Sequence, residues 1–561
     1  MLSVGHGRPA SIDGHDGMAR TVVDARTGTG IGVLSGRRPA GRRIALGLAV
    51  LGTVLAGCGI GPSSRPELAV YGGDRAPAVS GQTSSSSPPT GPGGPGQSGE
   101  FDPGWQECGS LDTPSTAGAA FRMTCAAVKV PIDYSHPETG RLSLAAGRAL
   151  APGLPDDAPA LVVMINNGPL DATLTNVSRL ADIAAGLPQA ITRHYAIIGI
   201  DIRGSGSSVR VNCFRDTPLE YLFTLNADLS GSAAQNHLTD IAKAFTFGCQ
   251  DDVDANMVFF NTVQIADDLD ALRAALGTDT LDLFGSGYGA TAGAVYAYRY
   301  PGHVGRIVLD APTDHSDTPS DRAANAAGQY ERALQAFVAD CRTQPACALG
   351  ADPDGTISDA IAALDYPTDD SGSTRVNSGA VLWALVLALP DPRRWPALAT
   401  AIADVAAGNS REISRLLDAL QQDPDVQLST KLMIDCNDND QRLSPADLAT
   451  AINGASGAAP RFGGFLVGLA ALCRQWPSPE APIGTLRAPL GAPVVVIGGV
   501  DDPAAPYGGV QKLVNQIGSA VLISYSGTAH TGYPRSNCVA GLVDRFLLDG
   551  TVPAAGTLCA G

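Results

Sequence analysis

One stretch constrains the fold of this chain more than any other: Leu281-Asp282-Leu283-Phe284-Gly285-Ser286-Gly287-Tyr288-Gly289-Ala290. An apolar strand runs into a glycine-rich turn, and the turn opens a helix that ends near Arg299-Tyr300-Pro301. A strand–turn–helix unit of this kind belongs to a parallel sheet whose faces are covered by the returning helices. Further short apolar runs repeat the theme at Leu161 to Ile165, Ala196 to Ile200, Ile307 to Leu309, Val494 to Ile497 and Val521 to Ser524. Val263 to Leu276 has the apolar spacing of an amphipathic helix. The expected fold class is therefore α/β, a mostly parallel sheet with helices on both faces. Between about 313 and 488 the rhythm breaks and the pattern is mainly helical. That stretch reads as an insertion between two sheet strands.

The ends of the chain differ from its middle. Arg37, Arg38, Arg42 and Arg43 precede an apolar run from Ile44 to Ala56. The run has signal-peptide length and is short for a membrane span. It ends Leu55-Ala56-Gly57-Cys58, which resembles a bacterial lipobox in which Cys58 becomes a lipidated N-terminus. Residues before Arg37 do not look like a signal peptide, so a later start such as Met18 is expected. Residues 58 to 104 are rich in Pro, Gly and Ser and cannot bury a core. As a flexible tether they span about 35 to 40 Å. The first 57 residues carry seven Arg and three Asp, and the remainder carries 31 basic against 52 acidic residues. So acidic a chain repels phosphate backbones, which excludes nucleic-acid binding through a basic face.

Two chemistries share the grammar of residues 281 to 290. A nucleophile elbow, G-x-S-x-G, fits Gly285-Ser286-Gly287-Tyr288-Gly289 with Gly287 at the nucleophile position. A dinucleotide fingerprint, G-x-G-x-x-G/A, fits Gly285, Gly287 and Ala290, with Asp310 as the acid at the end of the next strand.

The rest of the chain favours the first. From Trp105 onward it resembles secreted α/β-hydrolases of the prolyl- and tripeptidyl-aminopeptidase type, a serine peptidase family, here in a bacterial lipoprotein form. The resemblance rests on ordered matches. They are Val130-Pro131-Ile132-Asp133-Tyr134, Asp201-Ile202-Arg203-Gly204-Ser205-Gly206-Ser207-Ser208, and Asp268-Leu269-Asp270-Ala271-Leu272-Arg273. Tyr300-Pro301 and Val304-Gly305-Arg306 follow the elbow. Then come Cys436, Cys473 with Trp476-Pro477, Asp502-Pro503 with Pro506-Tyr507, Arg535-Ser536-Asn537-Cys538 and Leu548-Asp549-Gly550-Thr551 with Cys559. The resemblance implies an α/β-hydrolase fold with an inserted helical cap. It divides the chain into a leader and lipoprotein signal (1–57), a tether (58–104), a first core part (105–312), the cap (313–488) and a second core part (489–561).

The resemblance also fixes the register of the elbow. The family's nucleophile follows the glycine that ends the preceding helix by about ten positions, and Gly277 leads to Gly287. The catalytic serine is therefore replaced by Gly287. The triad acid is expected at Asp502, with Asp501 the weaker candidate. The base is expected at His530, which has no competing histidine downstream of Asp502. Oxyanion donors are expected from the backbone of Asn167, Gly168 and Tyr288. The loop Asn166-Asn167-Gly168-Pro169-Leu170-Asp171 departs from the family's P-G-G-P-G, and a carboxylate at Asp171 is unfavourable beside a developing oxyanion. Ser286 is the substitute nucleophile to consider, but Phe284 and Tyr288 are bulky where its neighbours need to be small.

Eleven cysteines leave ten after Cys58, an even number suited to an oxidising compartment. Counting does not choose among their pairings. The resemblance and sequence proximity suggest Cys108–Cys125, Cys213–Cys249, Cys341–Cys347, Cys436–Cys473 and Cys538–Cys559. No C-x-x-C occurs and the histidines are scattered, so no metal site and no cofactor are expected. Asn437-Asp438-Asn439-Asp440 lacks the glycine and distal glutamate of a calcium loop and reads as a solvated turn.

Three functions follow from these residues. The first is an exported, lipid-anchored relative of serine aminopeptidases that is inactive or weakly active and binds a peptide, small ester or lipid-like ligand, or a protein partner. The second is an active peptidase or ester hydrolase with a non-standard nucleophile such as Ser286. The third and remotest is a dinucleotide-binding oxidoreductase.

Overall fold

The computed structural model describes residues 104–108, 121–167, 169–214, 219–364, 376–423, 426–487, 491–527 and 529–560. The leader, Cys58 and the tether lie outside the described residues. So does Gly168.

Ten strands form one sheet: β1 (Gln106–Glu107), β2 (Arg122–Pro131), β3 (Arg141–Leu150), β4 (Ala160–Asn166), β5 (Ala196–Ile200), β6 (Leu281–Gly287), β7 (Val304–Asp310), β8 (Val494–Gly499), β9 (Ala520–Tyr525) and β10 (Thr557–Cys559). Their order is β1-β2-β3-β5-β4-β6-β7-β8-β9-β10. β1, β2 and β3 pair antiparallel, β3 pairs antiparallel with β5, and every later pair is parallel. The β5/β4 exchange, an antiparallel strand at one side and an elbow after β6 are the topology of an α/β-hydrolase. β4 to β8 are apolar on both faces because helices cover both faces. The alternating antiparallel hairpin β2–β3 was not visible as two strands in the apolar-run pattern. One face of β2 is exposed, so its residues alternate instead of forming a run.

Three of the motifs singled out in the sequence, around Ile132, Asp201 and Asp268, form a buried frame. Arg203 and Asp268 make a fully buried bidentate pair at 2.8 and 2.7 Å. Arg203 also donates to the carbonyls of Ile132 and Phe259, and Tyr134 donates to Asp268. Asp201 accepts from the backbone N–H groups of Asn176, Val177 and Ser207. Gly206 (φ 54°) leaves the space in which a Cβ would strike the Asp201 carboxylate. These motifs hold loops in place rather than touching a substrate.

Between β7 and β8 the chain is helical, from Pro319–Thr343 through Gly463–Ala470. The apolar cluster of this layer also takes in Leu222, Leu238, Phe245 and Phe260, which come from the stretch between β5 and β6. The layer is thus wider than the 313–488 insertion, and helix Ser232–Val253 belongs to it. The five expected disulfides are formed: Cys108–Cys125, Cys213–Cys249, Cys341–Cys347, Cys436–Cys473 and Cys538–Cys559. The expected solvated turn at 437–440 is a correction. Asn437 and Asp438 are buried. The Asn437 amide donates to Met257 O and Phe260 O, and Asp438 accepts from Thr262 N and Oγ1. Polar residues can sit inside when each group finds a partner, and here they tie the helical layer to the core. Burial raises the Asp438 pKa to about 7.

Candidate active site

The site lies at the carboxyl ends of β4, β6, β7, β8 and β9. β6 ends at Gly287, which has φ 58° and ψ −125° and opens helix Tyr288–Arg299. Only glycine adopts such a backbone without cost, and nucleophile elbows use this kind of turn. A Cβ at Gly285 would strike Gly289 O, and one at Gly289 would strike Met164 O. The flanking glycines therefore let the helix lie directly on β4 and β6. The elbow is intact in backbone and lacks only its side chain.

Asp502 and His530, the residues expected as acid and base, lie side by side. Asp502, fully buried after β8, accepts from His530 Nδ1 at 2.8 Å and from the N–H groups of Ala504 and Ala505. Asp501 is not part of this cluster. The His530 N–H donates to Pro390 O in the helical layer. Behind them, Asp310 at the end of β7 accepts from Gly532 N and Tyr533 N at 3.0 and 2.8 Å. Burial raises the Asp310 pKa to about 7. Asp310 is the acid of the dinucleotide reading, and its place corrects that reading. It is enclosed, its oxygens are spent on the histidine loop, and it faces no ribose.

The other nitrogen of His530 carries the main surprise. Nε2 pairs with Asp171 Oδ1 at 2.8 Å, the hydrogen bond a serine nucleophile would make. A Cβ at Gly287 would lie 2.5 Å from the same Asp171 oxygen, 2.5 Å from Asn166 O and 3.0 Å from Asn167 Cα. The Asp171 carboxylate thus occupies the space that a side chain at position 287 would need. Asp171 was expected as an unfavourable neighbour of an oxyanion. It is instead the third member of an Asp171–His530–Asp502 cluster. Leu170 and Asp171 both have φ 54°, a left-handed conformation that costs non-glycine residues about 1–3 kcal/mol each. The loop tolerates that strain where the carboxylate meets His530. Burial opposes charge on His530, but the two carboxylates outweigh it and hold its pKa well above the ordinary value. With Nε2 paired to Asp171, that nitrogen is not free to take a proton from a nucleophile at 287.

Ser286 is not brought into this cluster. It lies within β6, 1% exposed, and its hydroxyl has no hydrogen-bond partner. Tyr288, expected as an oxyanion donor through its backbone, also pairs through its hydroxyl with Thr262 Oγ1 at 2.7 Å. The Asn167 side chain reaches Thr531 Oγ1 at 3.4 Å. Above the cluster a cleft of about 820 Å³ opens between the sheet and the helical layer, with Asp171 and Tyr288 in its floor. Among the described residues no His, Cys, Asp or Glu group could hold a metal ion.

Residues 459–559, which include both Asp502 and His530, match the family described as TAP-like protein. That segment is TAP-like in sequence, and the strand order is that of an α/β-hydrolase fold. It is 27% identical to the serine protease Hip1 of Mycobacterium tuberculosis, over 78% of this chain and 87% of that protein. It is 29% identical to carboxylesterase B of the same species, over 81% of this chain and 89% of that protein. The tripeptidyl aminopeptidase of Streptomyces lividans is 29% identical over 38% of each chain. Among solved structures, proline iminopeptidase of Mycobacterium smegmatis aligns with 75% of this chain and 97% of its own. Its TM-score is 0.32 at 16% identity. At that score the strand order carries the fold.

Asp171 as a partner of His530 was missed from sequence. Two signals were available: a hydroxyl lost at 287 and a carboxylate gained on the facing loop. Their compensation becomes visible only when β4 and β6 are known to be neighbours.

Proposed function

We propose that this chain is an exported, lipid-anchored relative of serine peptidases and esterases in which the serine route is closed, and whose cleft binds a peptide-, ester- or lipid-like ligand without efficient turnover. The observation that carries the reading is the Asp171 carboxylate, which takes both the space and the His530 hydrogen bond of the nucleophile. With no hydroxyl at 287 the chain offers no side-chain nucleophile there for His530 to deprotonate, and with Asp171 in place the His530 Nε2 is already engaged. The names of the relatives, a protease, an esterase and an aminopeptidase, support a peptide or ester as the class of ligand. The apolar run ending at Cys58 and the even number of remaining cysteines support export and lipidation.

The test is labelling of the full chain with a fluorophosphonate probe, beside Ser286→Ala. The natural protein stays unlabelled. Labelling that Ser286→Ala abolishes overturns the reading and makes Ser286 a working nucleophile. Detergent phase partitioning of the natural chain against Cys58→Ala tests the anchor, because only the lipidated form enters the detergent phase.

A further inference from the structure

Four cationic side chains line the cleft: Arg322, Arg332, Lys431 and Lys512. Lys431 holds both oxygens of Asp435 at 2.6 and 2.7 Å, and Lys512 pairs with Asp317. The remaining carboxylates of the cleft are also engaged. Asp171 has His530, and Asp314 has the Ser316 hydroxyl at 2.6 Å and the Gln516 amide at 3.0 Å. Among the described residues neither Arg322 nor Arg332 has a carboxylate within ion-pair distance. Arg332 is exposed. Arg322 is partly buried in the first turn of helix Pro319–Thr343 and gives one N–H, from Nη1, to Asp317 O at 2.6 Å. A guanidinium has five donors in a planar fork, so most of its capacity is unused. Burial lowers the Arg322 pKa, while the charges of Asp435, Asp314, Asp438 and Asp317 oppose the fall. Burial and the charges of Arg322 and Lys431 hold the His315 pKa well below its ordinary value, so that side chain adds no second cation to the wall. Much of the remaining wall is apolar, including Tyr330, Trp383, Leu466 and Leu469.

We propose that the cleft binds an amphipathic ligand bearing a carboxylate, with the Arg322 fork holding the carboxylate and the apolar wall taking the body. This deepens the binding reading above and rests on it for the absence of turnover. The inference follows from donor accounting: every carboxylate facing the cleft already accepts hydrogen bonds, whereas the Arg322 fork has N–H donors left over. A buried cation of this kind gains most from a ligand anion that accepts two N–H groups at once. An acyl chain and a peptide C-terminus both offer this chemistry, and the test separates them.

The test is calorimetric titration of the full chain with octanoate, octanamide and octylamine, and with Leu-Leu-Leu as the free acid and as the C-terminal amide. One of the two acids binds at least about tenfold more tightly than its amide, the value of a charge-assisted hydrogen bond, and octylamine binds more weakly than octanoate. Which acid shows the preference identifies acyl chain or peptide as the source. Arg322→Gln removes the preference, and Arg322→Lys retains part of it. Equal binding of acid and amide, tighter binding of the amine, or no binding of any probe at millimolar concentration overturns the proposal. So does a preference that survives Arg322→Gln. If that variant does not fold, the acid–amide comparison in the natural protein still decides. Fluorophosphonate labelling together with a carboxylate preference would keep Arg322 and remove only the reading of a closed serine route.

Discussion

The two halves of the site have had different histories. The acid–base half, built by the ends of β7, β8 and β9, keeps its full arrangement: Asp502 on His530, with Asp310 securing the backbone of the histidine loop. The nucleophile half, built by the loop after β4 and the elbow after β6, keeps its backbone and has exchanged its chemistry. Position 287 carries no side chain, and the Asp171 carboxylate stands where one would lie. The difference teaches that the two halves are coupled through His530. A base left without a nucleophile is a buried polar group without a partner, and such a group costs about 1–3 kcal/mol. Asp171 fills that vacancy. The retained half is thereby stabilised as an ion cluster rather than as a catalytic relay.

The largest effect expected concerns reactivity. Gly287→Ser alone stays unlabelled by fluorophosphonate, because its Cβ meets Asn166 O and Asp171 Oδ1 at 2.5 Å. The double variant Asp171→Gly with Gly287→Ser removes the carboxylate and the φ 54° strain at 171, lets the 166–171 loop withdraw so that Asn166 O clears the new Cβ, and becomes labelled. Labelling of the single variant would show that the oxyanion loop yields freely, and the halves would then be less tightly coupled than the cluster implies.

The next effects are on stability. Asp310→Ala strands the N–H groups of Gly532 and Tyr533 inside the protein and costs about 3 kcal/mol in urea unfolding. A loss below about 1 kcal/mol would mean that the acid–base half is not held from behind. Gly287→Ala imposes a side chain at φ 58° and costs about 2 kcal/mol.

The smallest effect depends on pH. Asp171→Asn removes one of the two carboxylates that raise the His530 pKa above 6.5. A group with a raised folded pKa contributes stability that is fully present below its unfolded pKa. That contribution is lost as pH rises through the folded pKa. The deficit of Asp171→Asn is therefore about 1–2 kcal/mol at pH 5.5 and shrinks in alkaline solution. Imidazole NMR titration of the same variant shows the His530 pKa falling. An unchanged His530 titration would detach Asp171 from the cluster.

Much of this was written in the chain. Parallel strands buried on both faces read as apolar runs, so β4 to β8 were legible. The elbow was legible because its glycines answer a local steric demand: backbone packs against backbone there, and no other residue fits. Asp502 and His530 followed from the order of the triad along the chain. The antiparallel β2–β3 pair was harder to see, because a half-exposed strand alternates. Asn437 and Asp438 were misplaced on the surface, because polarity alone does not reveal that a partner waits inside.

The sequence by itself determined the layered architecture and the glycine turn after β6, and it singled out Asp502 and His530. Each of these depends on short-range pattern or on chain order. Only the tertiary structure decided what meets His530 on the side of Gly287. Asp171 and His530 are separated by 359 positions. Their meeting depends on the sheet setting β4 beside β6 and on two left-handed residues turning a carboxylate inward. The N–H donors left over on Arg322 are likewise a property of the assembled cleft. Whether a cation is paired is fixed by what folds against it, and composition holds no record of that.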